Sequence, residues 1–156
     1  GAPDVHRTPV RIDECAAACV SELGILAEAK RQQITLTGSA CTVVTDPVLL
    51  RQALQNLLDN AIKYSPDGSQ IRVAILEDAD SVDVSVSDDG PGISAENRAH
   101  LMERFFRPDR ARDRNSGGFG LGLSITRAYM RVIGGSLEYE PAFPRGSTFR
   151  LVLPKG

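Results

Sequence analysis

Ile71-Arg72-Val73-Ala74-Ile75-Leu76-Glu77-Asp78-Ala79-Asp80-Ser81-Val82-Asp83-Val84-Ser85-Val86-Ser87-Asp88 contains two runs in which apolar residues recur at every second position, joined by an acidic link. A period of two puts Ile71, Val73 and Ile75 on one face of the first run and Val82, Val84 and Val86 on one face of the second. This predicts two half-buried strands of an antiparallel hairpin. The same phase carries Asp88 onto the inward face, whereas Asp83 and Asp89 point the other way. A carboxylate aimed inward at the end of a strand costs several kcal/mol unless something donates to it, so Asp88 demands a partner in the protein or in a ligand. Asp89 reads as a solvated turn residue. Gly90 and Gly92, which follow, leave room for a flat ligand against the backbone, and the exocyclic amine of a base would satisfy Asp88.

Upstream, Asp46-Pro47 has the form of a helix cap followed by Pro at the first helical position, and Ser65-Pro66-Asp67-Gly68 the form of a closing turn. At about 100° per residue, Leu50, Leu54, Leu57, Leu58 and Ala61 share one sector of the intervening helix, while Asn56, Asn60, Lys63 and Tyr64 share the neighbouring one. Asparagine is a mediocre helix former because its amide competes with the backbone. Two of them at i and i+4 beside leucines are therefore solvated, satisfy local carbonyls, or hold something. An amide oxygen is a hard ligand for Mg²⁺, and a lysine one turn on could neutralise a phosphate held by that metal.

Around this centre, Asp13 to Arg31 has helical periodicity with Asp13 as its cap, and Ile34–Thr37 and Thr42–Val44 read as two short strands. Ser94 caps a short helix running to about Phe105. Gly120 to Ile133 is helical, and Leu137–Tyr139 and Phe149–Leu153 close the chain as strands. This order predicts an α+β fold whose mixed sheet is covered by helices on one face. The cluster Gly117-Gly118-Phe119-Gly120-Leu121-Gly122-Leu123-Ser124 runs into the last helix, and a glycine-rich helix N-terminus is a ready anion site. It is neither a P-loop nor a dinucleotide fingerprint. Between Arg98 and Arg114 six arginines face Glu103, Asp109 and Asp113, a basic segment that reads mainly as a solvated face with one or two phosphate contacts.

The 156 residues, 42% hydrophobic and 24% charged, fit one ordinary folded domain and exclude disordered and low-complexity classes. Eighteen Lys and Arg against 20 Asp and Glu leave a net charge of −2, with no chain-wide basic field for a nucleic acid or an anionic membrane. No run approaches the roughly 18 apolar residues of a membrane helix, and Gly1-Ala2-Pro3-Asp4 carries no export pattern. Three cysteines make no disulfide framework. Cys15 and Cys19 lack neighbouring ligands that would complete a metal site, and read as small buried side chains.

Four segments carry a family signature. Asn56-Leu57-Leu58-Asp59-Asn60-Ala61-Ile62-Lys63-Tyr64-Ser65 resembles the N box, Asp88-Asp89-Gly90-Pro91-Gly92-Ile93 the first glycine box, Arg104-Phe105-Phe106-Arg107 the F box and Gly118-Phe119-Gly120-Leu121-Gly122-Leu123 the second glycine box of sensor histidine kinases. Arg145-Gly146-Ser147-Thr148-Phe149 resembles the closing strand of the same family. The resemblance implies the ATP-binding catalytic domain, a two-layer α/β sandwich with a mixed, mostly antiparallel sheet and a mobile ATP lid over residues 90 to 120. It implies that residues 10–156 form that domain, with residues 1–9 a linker or a remnant of excision.

Carried over residue by residue, Asn60 and Asn56 resemble the Mg²⁺ ligands beside the phosphates, Lys63 a phosphate contact, and these three the catalytic set. Tyr64 resembles a wall of the base pocket, and Asp88 the acceptor of the adenine amino group. Gly90, Gly92 and Ile93, Arg107, Gly118, Gly120, Leu121 and Gly122, and Thr148 complete the implied ATP site. In hydrolysing relatives the position matching Asn56 is a glutamate that activates water. An amide cannot take that proton, which favours transfer of the γ-phosphate to another nucleophile.

In the family that nucleophile is a histidine in a His-Glu/Asp-x-Arg-x-Pro motif on a separate two-helix domain. His6-Arg7-Thr8-Pro9 lacks the acidic residue and the spacing, so His6 reads as a linker residue; His100 reads as structural or solvated. The expectation is a two-component sensor-kinase domain using ATP and Mg²⁺, monomeric when isolated and binding no nucleic acid. Its partners would be the dimerisation and phosphoacceptor domain of the same parent protein and a response regulator. It would be cytoplasmic, with the parent anchored in the inner membrane. Two alternatives stand beside it: an ATP-binding regulatory module that has lost transfer, and an anti-sigma-type serine kinase.

Overall fold

The structure, a computed structural model, describes residues 5–90, 118–142 and 145–155. The hairpin consists of β4 (Gln70–Glu77) and β5 (Ser81–Ser87), antiparallel, with Val73 opposite Val86 and Ile75 opposite Val84. Its link is an Asx turn: Asp78 Oδ1 accepts from the N–H groups of Asp80 at 2.9 Å and Ser81 at 2.8 Å. Those donors, Ser81 first, hold the Asp78 carboxyl below the usual carboxylate range. β7 (Ser147–Pro154) lies antiparallel on the other side of β5, and β6 (Ser136–Pro141) borders β7. β2 (Gln33–Gly38) pairs parallel with β4, giving the order β2-β4-β5-β7-β6.

Register turns the alternation into a core. Ile75, Val84 and Leu151 form one cross-strand row and Val73, Val86 and Phe149 the next, and all six are buried. Tyr139 stands opposite Phe149 with ring centroids 5.0 Å apart. The alternate positions of β5 are polar, and Arg150 of β7 sits on the same face among Asp83, Glu138 and Glu140.

Against the apolar face, α2 (Pro47–Tyr64) packs between α1 (Ile12–Ala29) and α3 (Gly118–Val132). Leu50, Leu54, Leu57, Leu58 and Ala61 are all buried, as the helical sector predicts; truncating one such leucine to alanine costs about 2–5 kcal/mol. Asp46 caps α2 as expected, Oδ1 accepting from Val48 N–H at 2.9 Å and Leu49 N–H at 3.2 Å. Glu22 of α1 reaches α2 through Arg51 and accepts from Gln55 Nε2 at 2.7 Å.

Two local expectations differ from the structure, at the starts of α1 and α3. Asp13 does not cap α1, which begins at Ile12; its carboxylate instead takes the Arg11 guanidinium, Nε–Oδ1 3.0 Å and Nη2–Oδ2 2.8 Å. No side-chain cap is needed for Ile12 because β1 (Thr8–Arg11) runs straight into the helix and the Ile12 N–H donates to the Cys41 carbonyl at 2.9 Å. β2 and β3 (Thr42–Thr45) share no sheet, β3 pairing antiparallel with β1 instead. α3 starts at Gly118 rather than Gly120, so the glycine cluster opens the helix from within. The Ser94 helix, the arginine-rich segment and most of the lid lie outside the described residues.

Cys15, Cys19 and Cys41 are free thiols, and Cys19 is buried with its thiol donating to the Arg51 carbonyl. Among the described residues no three His, Cys, Asp or Glu side chains gather as a metal cluster, and no helix is long and apolar enough to cross a membrane.

Candidate functional site

Asp88 continues the inward phase of β5 and is 7% exposed. Its N–H donates to the Ser147 carbonyl at 2.9 Å, and its Oδ1 accepts from the Gly90 N–H at 2.8 Å. Burial pushes the carboxyl above the usual carboxylate value, and the Gly90 N–H opposes that rise without cancelling it. The adjacent Asp89 faces outward to Arg72 at 3.4 Å, a half-exposed pair worth at most about 1 kcal/mol. One carboxylate of the Asp-Asp pair is thus an ordinary turn residue, while the other is a buried acceptor.

Two glycines hold this acceptor in place. A Cβ on Gly90 would stand 2.6 Å from the Tyr64 carbonyl oxygen and 3.0 Å from Asp88 Oδ1. What excludes a side chain there is protein, the end of α2 closing on the loop, where the sequence reading reserved space for a ligand. Gly146 has φ +105°, and a Cβ on it would fall 1.9 Å from the Asp88 carbonyl oxygen. In sequence Gly146 belongs to the closing-strand segment Arg145–Phe149, and a glycine at a strand's edge is the signal of close backbone approach. Thr148 stands opposite Ser87 with the two hydroxyl oxygens 2.9 Å apart and is 9% exposed, which puts it beside Asp88.

The polar stripe of α2 ends at the same place. Asn60 is 6% exposed, and its Nδ2 has no hydrogen-bond partner among the described residues. Turning the amide about its Cβ–Cγ bond exchanges nitrogen and oxygen, so this buried position can present a hard oxygen ligand. Asn56, one turn earlier, is partly exposed. Lys63 projects outward and pairs with Asp59 at 3.1 Å across one turn. Tyr64 is half-buried, its carbonyl set against Gly90.

Gly118, Gly120, Leu121 and Gly122 lie in the first described turns of α3, and α3 lies along α2. Gly92, Ile93 and Arg107 lie outside the described residues. The described parts combine a buried acceptor for an amine, an unpartnered amide, a cation and a helix N-terminus. These are the chemical complements of a base, a metal and a phosphate chain.

Residues 45–156 match the family model described as "Histidine kinase-, DNA gyrase B-, and HSP90-like ATPase". Among curated proteins, the chain is 36% identical over 149 residues to the sensor-like histidine kinase SenX3 of Mycolicibacterium smegmatis, covering 94% of this chain and 38% of that protein. Among solved structures it resembles the mycobacterial sensor histidine kinase MprB, with TM-score 0.78, 29% identity and coverage of 96% of this chain and 97% of that one. It also resembles full-length ShkA in complex with AMPPNP, with TM-score 0.83, 25% identity and coverage of 99% of this chain and 32% of that one.

Proposed function

Because the chain belongs to the histidine kinase-, DNA gyrase B- and HSP90-like ATPase family, we propose that it binds Mg·ATP and donates the γ-phosphate to a histidine on another domain of a sensor kinase. The observation that carries this reading is the buried Asp88 carboxylate, engaged on one oxygen by Gly90 and enclosed by the end of α2. Its other oxygen accepts from the adenine 6-amino group, and Tyr64 and Thr148 flank the base. Lys63 exchanges its Asp59 partner for the phosphates, which the opening N–H groups of α3 also meet, and Gly92, Ile93 and Arg107 are assigned to the same site by their places in the family motifs. The AMPPNP complex of ShkA supports this assignment of ligand.

Asn60 and Asn56 are the residues that would hold Mg²⁺, and the unpartnered buried amide of Asn60 fits that role. Bound there, the ion would supply positive charge that offsets the charge of the phosphates. Asn56 cannot take a proton from water, so the site shields ATP from hydrolysis. In transfer, an imidazole nitrogen bonds to the γ-phosphorus as the bond to the ADP oxygen breaks. The chain spans 38% of the length of SenX3. The dimerisation and phosphoacceptor domain belongs to the rest of the parent, which is membrane-anchored with this domain in the cytoplasm, and a response regulator takes the phosphate onward. His6, whose N–H donates to Asp46 Oδ2 at 2.9 Å, serves as a linker residue at the cap of α2.

Calorimetric titration with Mg·ATP and Mg·GTP tests the reading. The 6-oxo group of guanine would face the Asp88 carboxylate, so GTP should bind roughly ten- to a hundred-fold more weakly, from the ~1–3 kcal/mol cost of an unmet buried acceptor. Equal affinities would remove Asp88 as the reader of the base.

Asn60→Ala should weaken Mg·ATP binding about ten-fold or more while binding of metal-free ATP changes little. Its melting temperature should stay near the parent's, because losing an orphaned buried donor offsets the small cavity created. Unchanged Mg²⁺ dependence in titrations with and without EDTA would show that Asn60 is not the ligand.

A further inference from the structure

The last turn of a helix leaves its carbonyls without intrahelical partners. At the end of α2 those carbonyls are taken by two side chains from the corner between α1 and β2. Lys30 Nζ donates to the carbonyls of Ile62 at 2.7 Å, Lys63 at 3.1 Å and Ser65 at 2.9 Å, which uses every hydrogen of the ammonium group. Gln32 is 5% exposed, and its Nε2 is directed at the carbonyls of Ile62 and Ser65, both at 3.1 Å, and Pro66 at 3.3 Å. Arg31 between them has φ +56°, a left-handed turn that costs a non-glycine residue about 1–2 kcal/mol. The corner is closed by backbone as well, with Gly68 N–H donating to the Lys30 carbonyl at 2.8 Å and Gln33 N–H to the Ser69 carbonyl at 3.1 Å.

A glycine in the left-handed conformation could end the helix without burying any polar side chain. Here a cation at the negative end of the helix dipole and a buried amide converge on the same few carbonyls, tying down the backbone of residues 62–66. That backbone carries Lys63 and Tyr64 and follows Asn60 by less than one turn.

From these contacts we infer that Lys30 and Gln32 are positioning residues of the nucleotide site, fixing the last turn of α2 so that Asn60, Lys63 and Tyr64 meet Mg·ATP in one arrangement. The inference rests on the nucleotide reading above. Lys30 and Gln32 act through backbone carbonyls of α2 and need not touch the nucleotide.

The test is titration of the whole chain with Mg·AMPPNP at a temperature where circular dichroism shows parent and variants fully folded. Lys30→Met keeps the stem and removes the donors; it should lose about ten-fold in affinity, the lower end of the cost of removing support behind a metal site. The ATP:GTP ratio should be unchanged, because Asp88 is anchored by Ser147 and Gly90. Lys30→Arg, which returns a cation to the helix end, should recover part of the affinity. If Lys30→Met does not stay folded, Lys30→Gln carries the same comparison with a smaller loss. Equal affinity of parent and variant overturns the inference and leaves the nucleotide reading intact. A loss that also erases the ATP:GTP preference overturns it too, since the site has then come apart as a whole. A parent chain that binds no Mg·AMPPNP defeats both.

Discussion

Asp88→Asn is expected to weaken Mg·ATP binding about a hundred-fold while the melting temperature stays level or rises. The two effects part because the carboxylate is held against the preference of the folded chain: burial raises its pKa, and the Gly90 N–H compensates only in part. An amide keeps the size and can still accept from Gly90 through its oxygen, but it carries no charge to desolvate. It also presents an NH₂ where the adenine amine needs an acceptor. A hydrogen bond to a charged group contributes ~1.5–3 kcal/mol, and at its upper end that is roughly a hundred-fold in affinity.

The pH dependence has a definite direction. With the folded pKa above the unfolded one, the native state holds the Asp88 proton more tightly, so stability falls as pH rises from the ordinary carboxylate value through the raised one. The stability advantage of Asp88→Asn should therefore be largest above that window and vanish below it. Parent affinity for ATP should fall on acidification through the same raised pKa, as the acceptor is protonated. Thermal melts and calorimetry across the acid range measure both. A variant that loses stability at neutral pH would mean that the charge is structurally satisfied and not reserved for a ligand.

Gly146→Ala is expected to cost at least about 3 kcal/mol, lowering the melting temperature by roughly 6–12 °C for a chain of this size. Two penalties combine. At φ +105° an L side chain is strained, and its Cβ would lie 1.9 Å from the Asp88 carbonyl oxygen, a backbone atom that the pairing of Asp88 N–H with Ser147 keeps in place. Gly134→Ala is the control, because Gly134 has φ +86° with nothing within 4 Å of its would-be Cβ. That variant should lose only the conformational part, about 1–2 kcal/mol. Equal losses in the two variants, read by thermal denaturation, would show that the approach to Asp88 is not what requires glycine at 146.

Much of this molecule is written locally. The period of two in 71–76 and 82–88 determined the central hairpin and the burial of Asp88, because a strand's alternate faces follow from backbone geometry alone. The leucine sector of α2 and the Asp46-Pro47 cap are local in the same way, each depending on residues within a few turns. The four ordered motifs identified the family, which the match over residues 45–156 bears out. Tertiary structure decided what local pattern cannot carry: that β3 pairs with β1 and β2 runs parallel to β4, and that Ile12 gives its N–H to Cys41 so that Asp13 is free to bind Arg11. It decided that Gly146 must admit the Asp88 carbonyl, and that Lys30 and Gln32 close the end of α2 from across the chain. In each of these cases the partner lies in a different element, and a hydrogen-bond donor or a bare Cα carries no mark in sequence of the distant group it will meet. Such pairings follow only from the packing of whole elements, where most buried polar groups find an acceptor or donor among whatever the fold brings near.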